Sequence, residues 1–244
     1  MDSGFYSAYT GFATRLDALD VLANNLANTN TPGYKAQYAF YRALPSWLQA
    51  SLTTPLNQAV NRYGVLGGSR VDFSVSNIEN TGNPTDLALE GSGFFTVQSS
   101  RGVRFTRDGN FGLNAKRQLV TARGDLVLGE QGPIVLPSGQ ITVSQDGTIS
   151  VDGSMVGRLK ITEFAPDAQL TPEGSSYFAA TAGAGKTAAN PMVRQGALET
   201  SNSNPVQAAV TLIDLQRTAQ MMEKALSIFH NEFNKTAAQD LPRV

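Results

Sequence analysis

The stretch "NNLANTNTPGYK", Asn24 to Lys35, decides how this chain is built. A helical pattern runs into it and stops at Asn28, Asn30, Pro32 and Gly33. Proline clashes with the preceding turn of a helix, and glycine favours the left-handed dihedrals that end one. Upstream, the spacing predicts a helix from Ser3 to about Asn28. Phe5, Tyr9, Phe12, Leu16, Leu19, Ala23 and Leu26 recur at intervals of 4, 3, 4, 3, 4 and 3. That is the narrow seam of a coiled coil rather than the broad face of a globular helix.

The other end of the chain mirrors this pattern. Asn204 is placed to cap a helix whose first residue is Pro205. Ala208, Leu212, Leu215, Ala219, Met222, Leu226, Phe229 and Phe233 then follow at intervals of 4, 3, 4, 3, 4, 3 and 4. Val206, Val210, Ile213 and Met221 add apolar surface off that seam. A single amphipathic helix would ordinarily pack on its own core. Two matched seams, one at each terminus, predict that the helices pair with each other. The off-seam apolar residues then need a neighbour from outside the chain.

Between about Arg70 and Thr200 the pattern changes to short β-type runs broken by turn signals. "GFFTV" (Gly93–Val97) and "VRFT" (Val103–Thr106) flank "QSSRG". "RDGNF" (Arg107–Phe111), "RGD" (Arg123–Asp125), "QDGT" (Gln145–Thr148) and "VDGS" (Val151–Ser154) supply Asp-Gly or Gly turns. This spacing predicts an antiparallel all-β domain, not alternating β-α units. Pro45, Pro55, Gly64, Gly67 and Gly68 argue against a long helix over 36–69, which reads as an extended connector with one helical turn at most. The expected class is therefore α+β. Residues 1–35 and 201–244 form a helical coiled-coil module, 36–69 connect, and 70–200 form an inserted antiparallel β domain.

Composition narrows the function. The apolar share of 41 % allows a real core, while the charged share of 16 % is low, as on surfaces that meet other protein. Net charge is −1 and Lys116–Arg117 is the only adjacent basic pair, so no nucleic-acid footprint is present. Cysteine is absent, which excludes disulfides and thiolate chemistry. "MDSGFYSAYTGF" does not read as a cleavable signal peptide, and no apolar window is long enough to predict a membrane span.

Catalytic and ligand motifs fail on inspection. "GAGKT" (Gly183–Thr187) resembles the end of a phosphate-binding loop, but Ala180 stands where its first glycine belongs and Pro191 forbids the helix that must follow. "SQDGTISVDG" lacks the closing glutamate of a calcium loop and reads as two hairpin turns. "RGD" at 123–125 is explained by a turn. His230, the only histidine, has no carboxylate constellation around it, and a lone histidine makes no multi-histidine metal site. Asp86 and Glu90 lie four apart but share no evident site in a β context. A hydrolase would need two convergent carboxylates that the sequence does not identify. No catalytic residue, metal ligand or cofactor is expected.

Three stretches resemble the bacterial flagellar rod and hook proteins. "LANNLANTNTPGYK" (Leu22–Lys35) is similar to the N-terminal signature of that family. "TGNPTDLALEGSGFFTV" (Thr81–Val97), extended by "FTRDGNF" (Phe105–Phe111), is similar to its central one. "QGALETSNSNPVQAAVTLIDLQRTAQ" (Gln195–Gln220) is similar to its C-terminal one. They lie in order across essentially the whole chain, and together are far more specific than any one alone. Within the family the length resembles the two rod subunits with a single β domain. The distal-rod form usually carries an acidic-aromatic segment that "AFYRALPSWLQASLTTPLNQAV" (Ala39–Val60) does not match, and an Arg-Ala-Tyr-Glu run where this chain has "RTAQ" (Arg217–Gln220). The proximal-rod form is the closer resemblance, the distal-rod form the alternative. A secreted adhesin or carbohydrate-binding β module on a helical stalk is the alternative from another class.

The resemblance implies a structural, non-enzymatic subunit that self-assembles helically and transmits torque. Its partners would be further copies of itself, other rod proteins and the flagellar type III export apparatus. It would stand in the periplasmic part of the basal body, exported without a cleaved signal. Phe5, Phe12, Leu16, Leu19, Leu26, Leu212, Leu215, Met222, Leu226, Phe229 and Phe233 are the expected self-assembly seam. Asn28, Asn30, Pro32 and Gly33 are the expected exit that turns the chain from the helix toward the β domain.

Overall fold

The computed structural model describes residues 2–42, 65–165, 168–174, 176–181 and 183–240. These residues divide into two compact units. One gathers residues 2–27, 37–42, 65–72 and 204–240; the other gathers 28–36 and the described residues of 73–203.

The first unit holds the two long helices, α1 (Asp2–Ala27) and α2 (Pro205–Asp240), which pack against each other. Asn204 caps α2 as its sequence predicts: its Oδ1 accepts the amides of Val206 at 3.0 Å and Gln207 at 3.1 Å. The described parts of the connector, read as extended, pair with each other. β1 (Gln37–Arg42) and β2 (Val65–Val71) form an antiparallel ribbon with a register shift between Phe40 and Tyr41. The Phe40 ring lies over Gly68 and supplies the packing that Gly68 lacks. The expected turn of helix in the rest of the connector, 43–64, lies outside the described residues.

The covered line of α1 also differs from the expected seam. The buried residues are Thr14, Ala18 and Asn25, with Leu22 half-buried between them. This line is displaced by about one residue, roughly 100° around the helix, from the larger apolar positions. Phe12, Leu19 and Leu26 are half-buried at its border, while Leu16 is 43% exposed and Tyr9 56% exposed. On α2, Ala208 and Ala219 are buried and Leu212, Leu215, Met222 and Leu226 half-buried. Small side chains at the buried positions of both helices permit close axes, since interaxial distance follows side-chain size. The side chains of Phe5, Phe229, Phe233 and His230 lie outside the described residues.

The second unit is antiparallel β throughout its described strands, as the hairpin signals predict. Its first strands are β3 (Ile78–Asn80), β4 (Leu87–Glu90), β5 (Phe94–Ser99), β6 (Gly102–Thr106), β7 (Phe111–Leu113), β8 (Leu119–Thr121), β9 (Leu126–Gly129) and β10 (Gly132–Pro133). Then come β11 (Ile141–Val143), β12 (Thr148–Val151), β13 (Ser154–Arg158), β14 (Ile161–Phe164), β15 (Leu170–Glu173), β16 (Tyr177–Ala180), β17 (Gly185–Thr187), β18 (Met192–Gln195) and β19 (Ala197–Glu199). The main sheet runs β15-β16-β6-β5-β9-β8-β7, with β14 joining β5, β17 joining β14 and β10 joining β9. β11-β12-β13 form a separate meander, and β18 and β19 return from the C-terminal side to pair with β4 and β3.

Period-two alternation sorts the strand side chains. Phe95 and Val97 of β5 point into a core with Phe111, Leu119, Val127, Ile149 and Ile161. Phe94, on the other face, meets Phe73, Phe164 and Phe178 edge-on at centroid distances of 5.6 Å each. The turn between β12 and β13 has Asp152 at φ 51° and Gly153 at φ 79°, the mirror-image hairpin turn that an Asp-Gly pair favours.

Candidate functional site

The exit from α1 is built by the residues that stop the helix. Thr31 to Tyr34 form a tight turn closed by the Tyr34 amide donating to the Thr31 carbonyl at 3.2 Å. Pro32 takes the second position and Gly33 the third, at φ 65°, the pattern of a type II turn. Just before it, the Thr31 amide donates to the Asn28 carbonyl at 3.2 Å and the Thr31 hydroxyl to Asn28 Oδ1 at 3.1 Å. Asn28 and Pro32 are half-buried, Asn30 is exposed and Gly33 is buried. Gly33 is doubly constrained. A Cβ there would run into the backbone of Arg107 and Asp108, and its amide donates to the Glu199 carbonyl at 2.8 Å.

Two residues on, the chain buries a charge. Lys35 Nζ donates to Glu199 Oε1 and to the Ser74 carbonyl, both at 2.6 Å. Glu199 Oε1 also accepts the Ser76 amide at 3.0 Å, and Oε2 accepts from Arg107 Nη1 at 3.3 Å. Arg107 donates onward to the carbonyls of Leu89 at 3.3 Å and Gly91 at 2.6 Å. Its guanidinium lies 5.3 Å from the centre of the Phe94 ring. The side chains of Lys35 and Glu199 are 0% exposed and that of Arg107 is 3% exposed. Burial pushes the Arg107 guanidinium down from its ordinary range, and Glu199 partly restores it. The Ala36 amide completes the seat by donating to Asn202 Oδ1 at 2.7 Å.

Lys35, Arg107 and Glu199 are the residues that sequence reasoning passed over. Each lies inside one of the three quoted signatures, which was the available signal. Asn25 was passed over too: buried in the helical unit, its side chain exchanges bonds of 2.7 Å and 2.9 Å with the backbone of Gln37.

The rejected motifs have ordinary structural roles. Asp86 accepts from the Thr81 hydroxyl at 2.7 Å and from the Asn83 side chain at 3.0 Å, while Glu90 pairs on the surface with Arg194 at 3.6 Å. The two carboxylates do not converge on a common point. Lys186 and Thr187 of "GAGKT" belong to β17, a strand rather than a helix start. In the RGD turn, Arg123 stacks 4.8 Å from the centre of the Tyr177 ring and Asp125 accepts from the Tyr177 hydroxyl at 2.8 Å. An open cleft of about 420 Å³ is lined by Thr96, Phe105, Thr162, Thr187 and Lys160, its one ionisable lining residue among those described. No group of three metal-capable side chains occurs among the described residues.

Known families match along the chain. Residues 5–35 match the model described as flagella basal body rod protein. Residues 88–151 match the flagellar hook protein FlgE/F/G D1 domain, and 194–236 the flagellar basal body rod FlgEFG protein C-terminal model. The chain is 33% identical to the flagellar basal-body rod protein FlgF of Salmonella typhimurium, over 95% of this chain and 96% of the relative. It is 30% identical to FlgF of Caulobacter vibrioides over 100% of both chains. It is also 30% identical to the flagellar basal-body rod protein FlgG of Borreliella burgdorferi, over 95% of this chain and 96% of that one. Lys35, Arg107 and Glu199 thus sit in a chain that matches these relatives nearly end to end, and the chain belongs to the flagellar basal-body rod protein family.

Proposed function

We propose that this chain is a structural subunit of the flagellar basal-body rod, of the proximal-rod type, working by assembly rather than catalysis. The observation that carries the reading is the apolar surface left uncovered on the two helices. Tyr9 and Leu16 are exposed on α1, and Val206, Val210, Ile213, Met221 and Ile228 are 50% to 72% exposed on α2. Scattered single apolar residues would need no explanation, but lines of them along paired helices fit a surface covered by neighbouring subunits. Relatives named as basal-body rod proteins agree with that use.

In this reading α1 and α2 pair as a coiled coil in the assembled rod, and the seam from Phe5 to Leu26 and from Leu212 to Phe233 packs within and between copies. A heterologous contact repeated without closure makes a helical array, and dense helix packing multiplied over many copies resists shear and twist. The turn at Asn28–Gly33 directs the chain out of the helical layer. Its partners are further copies and other rod proteins, its place is the periplasmic part of the basal body, and it reaches there through the flagellar export apparatus. Among the described residues no helix is long and apolar enough to cross a membrane.

Deleting the gene in the source bacterium and imaging purified basal bodies tests this. Loss of the rod beyond its base, with no swimming and rescue by the intact gene but not by a form lacking 212–244, is expected. Intact basal bodies and normal swimming in the deletion strain would contradict the reading.

A further inference from the structure

The outward faces of the two helices carry charge as well as apolar surface. At about 100° per residue, Val206, Val210, Ile213, Met221 and Ile228 fall within about 80° of arc on α2, on the side opposite the buried Ala208 and Ala219. Arg217 and Lys224 fall among them and are exposed. The stripe is therefore apolar with two cations about 10 Å apart along the axis. Of the acids on α2, Asp214 stands at the border of the stripe and Glu223 well off it. On α1 the same construction places Tyr9, Leu16, Asp20 and Ala23 in one exposed stripe opposite the buried Thr14, Ala18 and Asn25, with exposed Asp17 at its border. That stripe is apolar with acids about one turn apart. Among the described residues, Arg217, Lys224, Asp17 and Asp20 have no ion-pair partner.

Resting on the rod-subunit reading, we infer that the outward stripe of α2 binds the outward stripe of α1 on a second copy of this chain, with Arg217 and Lys224 reaching Asp17 and Asp20. Charge selects this pairing over the others. Two α2 stripes face to face would set cations against cations, and two α1 stripes acids against acids; like charges brought together disfavour both. Only the α2-to-α1 contact joins opposite signs. The apolar residues of both stripes supply the buried area, and the charges fix register and partner, as flanking charges do along a coiled-coil seam. The long side chains of Arg217 and Lys224 lean inward to meet acids about 4.5 Å apart along their own helix. Because the two stripes belong to different helices, the contact is heterologous. Each copy offers its α2 stripe to one neighbour and its α1 stripe to another, so the same contact propagates from copy to copy. A stripe that paired with its own kind would stop at a dimer.

Complementation of the deletion strain with charge-reversed chains tests this. Arg217→Glu/Lys224→Glu and Asp17→Lys/Asp20→Lys, each pair alone, are expected to lose swimming and the rod beyond its base. Their purified chains are expected to unfold at the native midpoint, because all four side chains are exposed. The four changes together restore opposite signs across the contact and are expected to recover swimming. Normal swimming with either pair alone would overturn the contact, and so would a combined variant no better than either pair, which would assign these charges to a different rod protein or to the chain's own fold. The chain has no cysteine, so Leu16→Cys/Met221→Cys gives a second measurement. Oxidised basal bodies should hold this variant linked copy to copy in series, which neither single variant forms. Crosslinked dimers of Met221→Cys alone would show α2 meeting α2 and overturn the inference. Complete rods in the deletion strain itself would sink the rod-subunit reading; rods lost on deletion but indifferent to charge reversal would leave that reading standing and remove only this contact.

Discussion

Residues 28–36 and α2 differ in how completely the chain itself satisfies them. In the exit segment, Gly33, Tyr34, Lys35 and Ala36 are all buried, each held by bonds to its own turn or to residues from the far end of the chain. On α2 the buried described residues are two alanines, and Val206, Ile213, Met221 and Ile228 face outward. The exit is finished within one chain. The helix carries more apolar surface than one chain covers. Surface of that kind fits the proposed assembly, while the exit segment is held by bonds to residues of its own unit.

The contrast is broken hardest at Gly33. Gly33→Val combines a positive φ with overlap onto the Arg107–Asp108 backbone. Thermal or denaturant unfolding should show a loss of about 3 kcal/mol or more. A native-like midpoint would mean that the exit is far looser than its bonds suggest. Replacing Pro32–Gly33 by Ala-Ala should extend the helix and impair motility; normal swimming would contradict the role given to the turn.

Asn25 sharpens the comparison inside the helical unit, where a buried polar side chain ties α1 to the ribbon. Asn25→Ala leaves the Gln37 amide and carbonyl without their partners, and a loss of about 1–3 kcal/mol is expected in urea unfolding. Faster exchange of the Gln37 amide should accompany it. An unchanged rate would show that the bond pair contributes little.

Tyr177 makes the same point in the β unit with a smaller effect. Burial pushes its hydroxyl up from 10.0 to about 12, with the Thr121 bond opposing and Asp125 adding to the rise. The neutral form is favoured by folding, so this stabilisation is fully present below pH 10 and is lost as pH climbs through about 12. Tyr177→Phe should cost about 1 kcal/mol at neutral pH and flatten the stability profile between those limits. A variant that keeps the native alkaline slope would assign the slope to other groups.

Sequence and structure agree where local chemistry suffices. Asp152–Gly153 makes the hairpin its dipeptide implies, the RGD segment is a turn between β8 and β9, and Asn204 caps the helix that Pro205 begins. The pairing of Lys35 with Glu199 was not legible, because the partners are 164 residues apart and a single lysine after a turn looks like a solvated one. The buried line of α1 was missed for a different reason. Periodicity weights large apolar residues, whereas the positions covered here are Thr14, Ala18 and Asn25, two of them polar. The pairing of 37–42 with 65–71 was not legible either, because the glycines there speak only against a helix and name no partner strand, whereas Gly68 packs beneath Phe40.

The central claim is that the uncovered line on α2 is for neighbouring subunits and contributes little to the single chain. Its most direct measurement is complementation of the deletion strain with Ile213→Asp/Met221→Asp, combined with unfolding of the purified variant. Both side chains are at least half exposed, so each change should move the stability of the isolated chain by no more than about 0.5 kcal/mol. Basal bodies from the complemented strain should nevertheless lack the rod beyond its base. Complete rods and normal swimming with this folded variant would contradict the account.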